Sequence, residues 1–161
     1  MGTKRRLDNK LKHEEEKMIL VSACLAGLNC KYNGKNNYND IIFKLVKSGK
    51  AIPLCAETLG GLTTPRVPCE IINGRVINKD GIDVSENYKR GALEIVEFCK
   101  KMNIKEAILQ PRSPSCGVGK IYDGTFSKTL IDGNGILTQM LIDNDIKVIS
   151  LDDYINNMKN I

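Results

Sequence analysis

The chain has 161 residues and a formal net charge of +5. That length suits one domain around one core, and no apolar run approaches the roughly 20 residues a membrane span needs. Six cysteines, a single histidine and no tryptophan set aside a Cys/His zinc finger, a Ser-His-Asp triad and a Cys-His protease, each of which needs a placed imidazole.

Residues 1–17, "MGTKRRLDNKLKHEEEK", form a charged leader that lacks the apolar core of a signal peptide, so the expected location is the cytoplasm. Lys4, Arg5, Arg6, Lys10 and Lys12 put part of the basic excess here, where it reads as a solvated segment that identifies no partner. "MILVSA" (18–23) is a short, partly β-branched apolar run and predicts a buried parallel strand. "DIIFKLVKSG" (40–49) has Ile41, Ile42, Leu45 and Val46 at helical spacing and closes on glycine. "AIPLCAE" predicts a second strand running out into a loop at Cys55, and "IINGRVIN" (71–78) carries the Asn-Gly signal of a tight hairpin. The helix "SENYKRGALEIVEFCKKMN" has Ser85 as its expected N-cap and a stripe of Ala92, Ile95, Val96 and Cys99. "EAILQ" (106–110) is a strand again, a helix follows around "GILTQMLIDN", then the strand "IKVIS" (146–150), and "DDYINNMK" closes as a short helix. This order predicts an α/β protein, a single-domain, three-layer Rossmann-like fold with a mostly parallel sheet covered by helices.

In such sheets ligand sites collect at the carboxyl ends of the strands. Cys24 in "SACLAG", Cys55 in "PLCAETLGG" and Cys116 in "RSPSCG" are all carried there, so three thiols distant in sequence are expected to converge. Without histidine, they suit an iron–sulfur cluster or another soft-metal site better than magnesium or calcium. Cys30 and Cys69 fall in loops, and Cys30 competes with Cys24 as a ligand on spacing alone. Cys99, on an apolar helical stripe, reads as core. "GVGKIYDG" lacks the spacing of a Walker A loop and the Ser/Thr after its lysine.

Four stretches, "ILVSACLAGLNCKYNGKNN", "PLCAETLGGLTTPRVPCEI", "DGIDVSENYKRGA" and "RSPSCGVGKIYDGTFSKTLIDGNG", closely resemble in the same order the bacterial and archaeal thiouracil desulfidase (TudS-like) family. The match runs from residue 18 to about 150, so residues 18–161 are expected to be one TudS-like iron–sulfur domain. The resemblance implies an oxygen-sensitive [4Fe-4S] cluster held by Cys24, Cys55 and Cys116, with a fourth iron free to bind the sulfur of a thiolated nucleobase. It implies Glu57 as the catalytic acid and Ser113 as the active-site serine. The implied reaction is a non-redox conversion of 2- or 4-thiouracil to uracil and sulfide, with the sulfur captured as a [4Fe-5S] species. This sequence has "CAE" where relatives commonly have "CPE", which leaves ligand and acid in place. It also has "QPRSPSC" where a lysine-containing run is common, which bears on substrate contacts near Arg112.

Gly117 and Gly119 are expected to let the backbone approach the cluster, as are Gly60 and Gly61 in "GGLTTPR"; Arg66 and Tyr122 are further pocket candidates. Some relatives act on 4-thiouridine in tRNA with the domain fused to a further one; a single domain favours a free base or small nucleoside as partner. Desulfuration of tRNA or nucleotides, and a non-catalytic metal- or sulfur-binding protein, are the competing readings. The sequence leaves monomer and homodimer equally open.

Overall fold

In the computed structural model residues 18–160 are described, and the leader, 1–17, lies outside them. Four short strands, β1 (Ile19–Ser22), β2 (Ala51–Leu54), β5 (Glu106–Leu109) and β8 (Lys147–Ser150), form one sheet in the order β2-β1-β5-β8. Every pairing in it is parallel, as continuous apolar runs buried on both faces require. Side chains alternate across it: Leu20, Ala107 and Leu109 face one core, Val21 and Ile108 the other.

The first core is closed by α3 (Ser85–Lys101) and α4 (Ile136–Asp143), which contribute Ala92, Ile95, Val96 and Cys99, and Leu137 and Leu141. The second is closed by Ile42 of α1 (Asp40–Lys47) and by Leu151 and Tyr154 of α5 (Leu151–Lys159). The result is the expected three-layer α/β arrangement. Cys99 is fully buried in the first core, and burial pushes its thiol up to about 11. It is a small apolar side chain here, in line with the sequence reading.

Two antiparallel hairpins stand outside the sheet: β3 (Cys69–Ile72) with β4 (Arg75–Asn78), and β6 (Lys120–Tyr122) with β7 (Leu130–Asp132). The first turns through Asn73 and Gly74, both at positive φ (49° and 77°), the geometry the Asn-Gly pair favours. Cys69 therefore opens a strand, whereas the sequence suggested a loop. The expected cap of α3 also differs. Val84 holds the N-cap position, while the Ser85 hydroxyl accepts the Val76 amide at 2.8 Å, so tertiary pairing with β4 takes the oxygen that local capping would have used.

Among the described residues no helix is long and apolar enough to cross a membrane.

Candidate active site

Register brings Ser22 level with Leu54, and Val21 level with Ile108, so β1, β2 and β5 end abreast. The Ser22 hydroxyl accepts the Gln110 amide at 2.9 Å and ties two of these ends together. Beyond them lies a cavity of about 520 Å³ whose wall includes Cys24, Cys55 and Cys116, together with Glu57 and Ser113. Each cysteine arrives by a different device. Cys24 sits in the 3-10 turn Ala23–Ala26 directly after β1. Cys55 is the N-cap residue of α2 (Ala56–Leu59), directly after β2. Cys116 is held in the loop after β5, where the Ser113 hydroxyl oxygen accepts the amides of Ser115 (3.0 Å) and Cys116 (2.8 Å).

The thiols also have polar neighbours. Asn37 Nδ2 donates to Cys24 Sγ at 3.5 Å and Thr58 Oγ1 to Cys55 Sγ at 3.4 Å. Burial pushes Cys24 up against the pull of Asn37, and pushes Cys116 well up against the pull of Ser22. Cys55 goes the other way: the neighbouring Cys30 thiol, helped by Thr58 and the Arg66 charge, draws it down against burial. Cys30 is raised by the same contact. Cys30 and Cys69 line the cavity as well, so five of the six cysteines meet there.

Among the described residues no group of three His, Cys, Asp or Glu side chains comes together to hold a single metal ion. Cys24, Cys55 and Cys116 reach the cavity from three separate segments of the chain, and no histidine among the described residues lines it. The three thiols suit a polynuclear iron–sulfur group, in which each thiolate meets a different iron.

Glu57 lies on α2, two residues past Cys55. Its Oε1 accepts the Tyr88 hydroxyl at 2.6 Å and Arg66 Nε at 3.2 Å, while no described residue bonds Oε2. Burial raises the Glu57 carboxyl above its ordinary 4.5, against the opposing Arg66 charge and Tyr88 hydrogen bond. Burial also raises the Tyr88 hydroxyl, which stays a donor. Arg66, suggested as a pocket residue, does line the wall, but its guanidinium is committed. Besides Glu57 it meets the Thr63 carbonyl, Thr64 Oγ1 and the Cys30 carbonyl, at 3.2, 2.9 and 2.8 Å. Tyr122 also lines the cavity.

The glycines have a different use from the one expected. A Cβ on Gly60 would stand 2.0 Å from the Asn87 carbonyl oxygen, and one on Gly91 1.8 Å from that of Ala56. Gly60 thus lets α2 dock on α3, and that contact carries Glu57 to Tyr88. Gly61, at φ 89°, has Arg90 Nη2 2.6 Å from its ideal Cβ position, and Gly117 packs on its own loop at the Ser113 carbonyl (2.7 Å). None of Gly60, Gly61, Gly117 and Gly119 lines the cavity. Tyr88 was missed by the sequence reading; its signal was a tyrosine on the core stripe of α3, whose hydroxyl requires a partner once buried.

A parallel α/β sheet with a thiol-lined cavity and one half-free carboxylate at its carboxyl edge defines a class of metallocluster-binding protein. The 2-thiouracil desulfurase family model matches residues 19–153, and the chain belongs to that family. It is 43% identical over 143 residues to the protein named "Uncharacterized protein YbbK" of Bacillus subtilis (strain 168), covering 83% of this chain and 95% of that protein. A solved structure of a [4Fe-4S]-dependent thiouracil desulfidase, TudS, is similar with a TM-score of 0.81 and 37% identity, covering 84% of this chain and 91% of that one.

Proposed function

We propose that this chain is a [4Fe-4S]-dependent thiouracil desulfidase whose cluster is held by Cys24, Cys55 and Cys116, with Glu57 and Ser113 as the proton-handling groups. The observation that carries this reading is the meeting of three strand-end thiols and the free Oε2 side of Glu57 around one cavity. When bound, such a cluster supplies an iron without a protein ligand, a Lewis acid with affinity for soft sulfur that makes a thiocarbonyl carbon electrophilic.

The chain's own groups then manage water and protons. With Oε1 fixed by Tyr88 and Arg66, Glu57 Oε2 accepts a proton from the water that attacks the ring carbon, and returns it as the carbon–sulfur bond breaks. The two lone-pair directions of Ser113 are taken by amides, so its hydroxyl hydrogen is free to donate to the base. Thiocarbonyl and water become carbonyl and sulfide, with no net electron transfer.

A second reading of the substrate has its own support. Lys31, Lys79, Arg112 and Lys128 all line the cavity, a cationic wall suited to a phosphate-bearing thiolated nucleotide or tRNA as well as to a free base. The test is anaerobic reconstitution followed by measurement of uracil and sulfide released from 2- and 4-thiouracil, with 4-thiouridine monophosphate and thiolated tRNA alongside at two salt concentrations. Sulfide release that depends on the cluster supports the desulfidase. A loaded protein inert toward every thiolated substrate sinks it.

A further inference from the structure

The segment between β6 and β7, residues 123–129, is wound unusually tightly beside the cavity. Gly124, Phe126 and Lys128 all lie at positive φ, 94°, 56° and 62°. That is ordinary for glycine, but an outlier for a bulky phenylalanine that the surroundings must hold in place. The holding group is Glu70 of β3. It is 8% exposed, and its Oε1 accepts the amides of Gly124 at 3.0 Å and Phe126 at 3.1 Å.

Two further contacts fix the segment. A Cβ on Gly124 would stand 2.5 Å from Ile72 Cγ1 and 3.1 Å from the Ile71 carbonyl oxygen, so the chain lies directly on β3. Along its outer side a chain of hydroxyls links Thr125 to Ser127 (2.5 Å) and Ser127 to Thr129 (2.7 Å). A buried carboxylate, a close backbone contact and a hydroxyl chain thus hold a seven-residue segment that has one apolar side chain longer than a methyl group. That side chain, Phe126, is half-buried while Thr125, Ser127, Lys128 and Thr129 are exposed, and Phe126 lines the cavity.

We infer that Phe126 is a substrate-contacting specificity residue, its ring stacking on the face of the planar pyrimidine, and that Glu70 is the positioning residue that holds it there. The inference deepens the desulfidase reading and rests on it. A flat, uncharged ring with polar edges offers an enzyme its π-face for affinity. The other rings in the wall are less suited. The Tyr88 hydroxyl is bound to Glu57, and the Tyr32 ring carries Lys31 Nζ 5.9 Å from its centroid. Tyr122 lies within a paired strand, without the Glu70 clamp.

The test is equilibrium dialysis of uracil and of 5,6-dihydrouracil against the cluster-loaded protein under anaerobic conditions. The two ligands have the same carbonyls and ring N–H groups, but dihydrouracil lacks the aromatic face. Stacking is expected to make uracil bind about tenfold more tightly than dihydrouracil. That ratio should persist in Phe126→Tyr, collapse toward one in Phe126→Leu and fall in Glu70→Ala, with the cluster's visible absorption unchanged in all three. A wild-type ratio of one overturns the inference whatever the variants do, and so does a ratio unchanged in Phe126→Leu. Sulfide release from thiouracil, measured on the same wild-type sample, separates the two failures. Release with a ratio of one removes only the role of Phe126; no release removes the desulfidase reading and this inference with it.

Discussion

Replacing Gly91 with alanine adds one carbon where α2 and α3 touch. The new Cβ would lie 1.8 Å from the Ala56 carbonyl oxygen and 2.8 Å from the Gly60 amide nitrogen, both backbone atoms that cannot rotate away. To reach ordinary contact α2 must retreat by roughly 1.5 Å. Overpacking of this kind costs about 1–3 kcal/mol, and a rigid backbone neighbour puts it at the upper end. The better helix propensity of alanine offsets about 1 kcal/mol, leaving a net loss of about 2 kcal/mol. For a chain of this size that lowers Tm by about 4–8 °C. The same retreat pulls Glu57 from Tyr88, a 2.6 Å contact, so turnover should fall further than stability alone explains. Gly49→Ala is the control: it sits at φ 76° with nothing within 4 Å, so it costs about 1 kcal/mol of left-handed strain and leaves turnover intact. Thermal and denaturant unfolding, with sulfide release on the loaded protein, read both effects. A Gly91→Ala protein as stable and as active as wild type would refute the docking argument.

The remaining expectations follow from the site. Glu57→Gln should keep the bound iron and lower kcat by about 10²- to 10⁴-fold, because the amide cannot take the water's proton; iron content and single-substrate kinetics check it. Glu57 must be ionised to accept that proton and burial raises its pKa, so activity should be lost as pH falls through a value above 4.5. A kcat/KM profile with its acid limb at or below 4.5 would contradict this. Cys99→Ala should cost about 1 kcal/mol of stability with full iron content, whereas Cys116→Ala should lose iron; metal analysis distinguishes the two cysteines.

The parallel sheet was legible because its strands are short apolar runs ending where glycine, cysteine and polar residues begin. The first hairpin was legible because Asn73-Gly74 suits two successive left-handed residues. The convergence of Cys24, Cys55 and Cys116 could be anticipated once all three were seen to follow strands, since parallel strands end on one edge. Tertiary packing hid the rest. Glu57 and Tyr88 are 31 positions apart and meet only because Gly60 and Gly91 allow two helices to touch. Ser85 looked like a cap until β4 claimed its hydroxyl. The four-residue α2 and the β6–β7 hairpin are too short to carry a periodic signal. The clamp of Glu70 on Gly124 and Phe126 spans more than fifty positions, and no local pattern announces it.

The most direct test of the central claim is Mössbauer spectroscopy of protein reconstituted anaerobically with iron-57, before and after addition of thiouracil. A [4Fe-4S] cluster, the group on which the related desulfidase depends, held here by the three proposed cysteines should give about four irons per chain. One of them should be distinct from the other three and should shift when thiouracil is added. Four equivalent irons that do not respond to thiouracil, or a cluster that persists unchanged in Cys24→Ala, Cys55→Ala or Cys116→Ala, would contradict the three-thiol site.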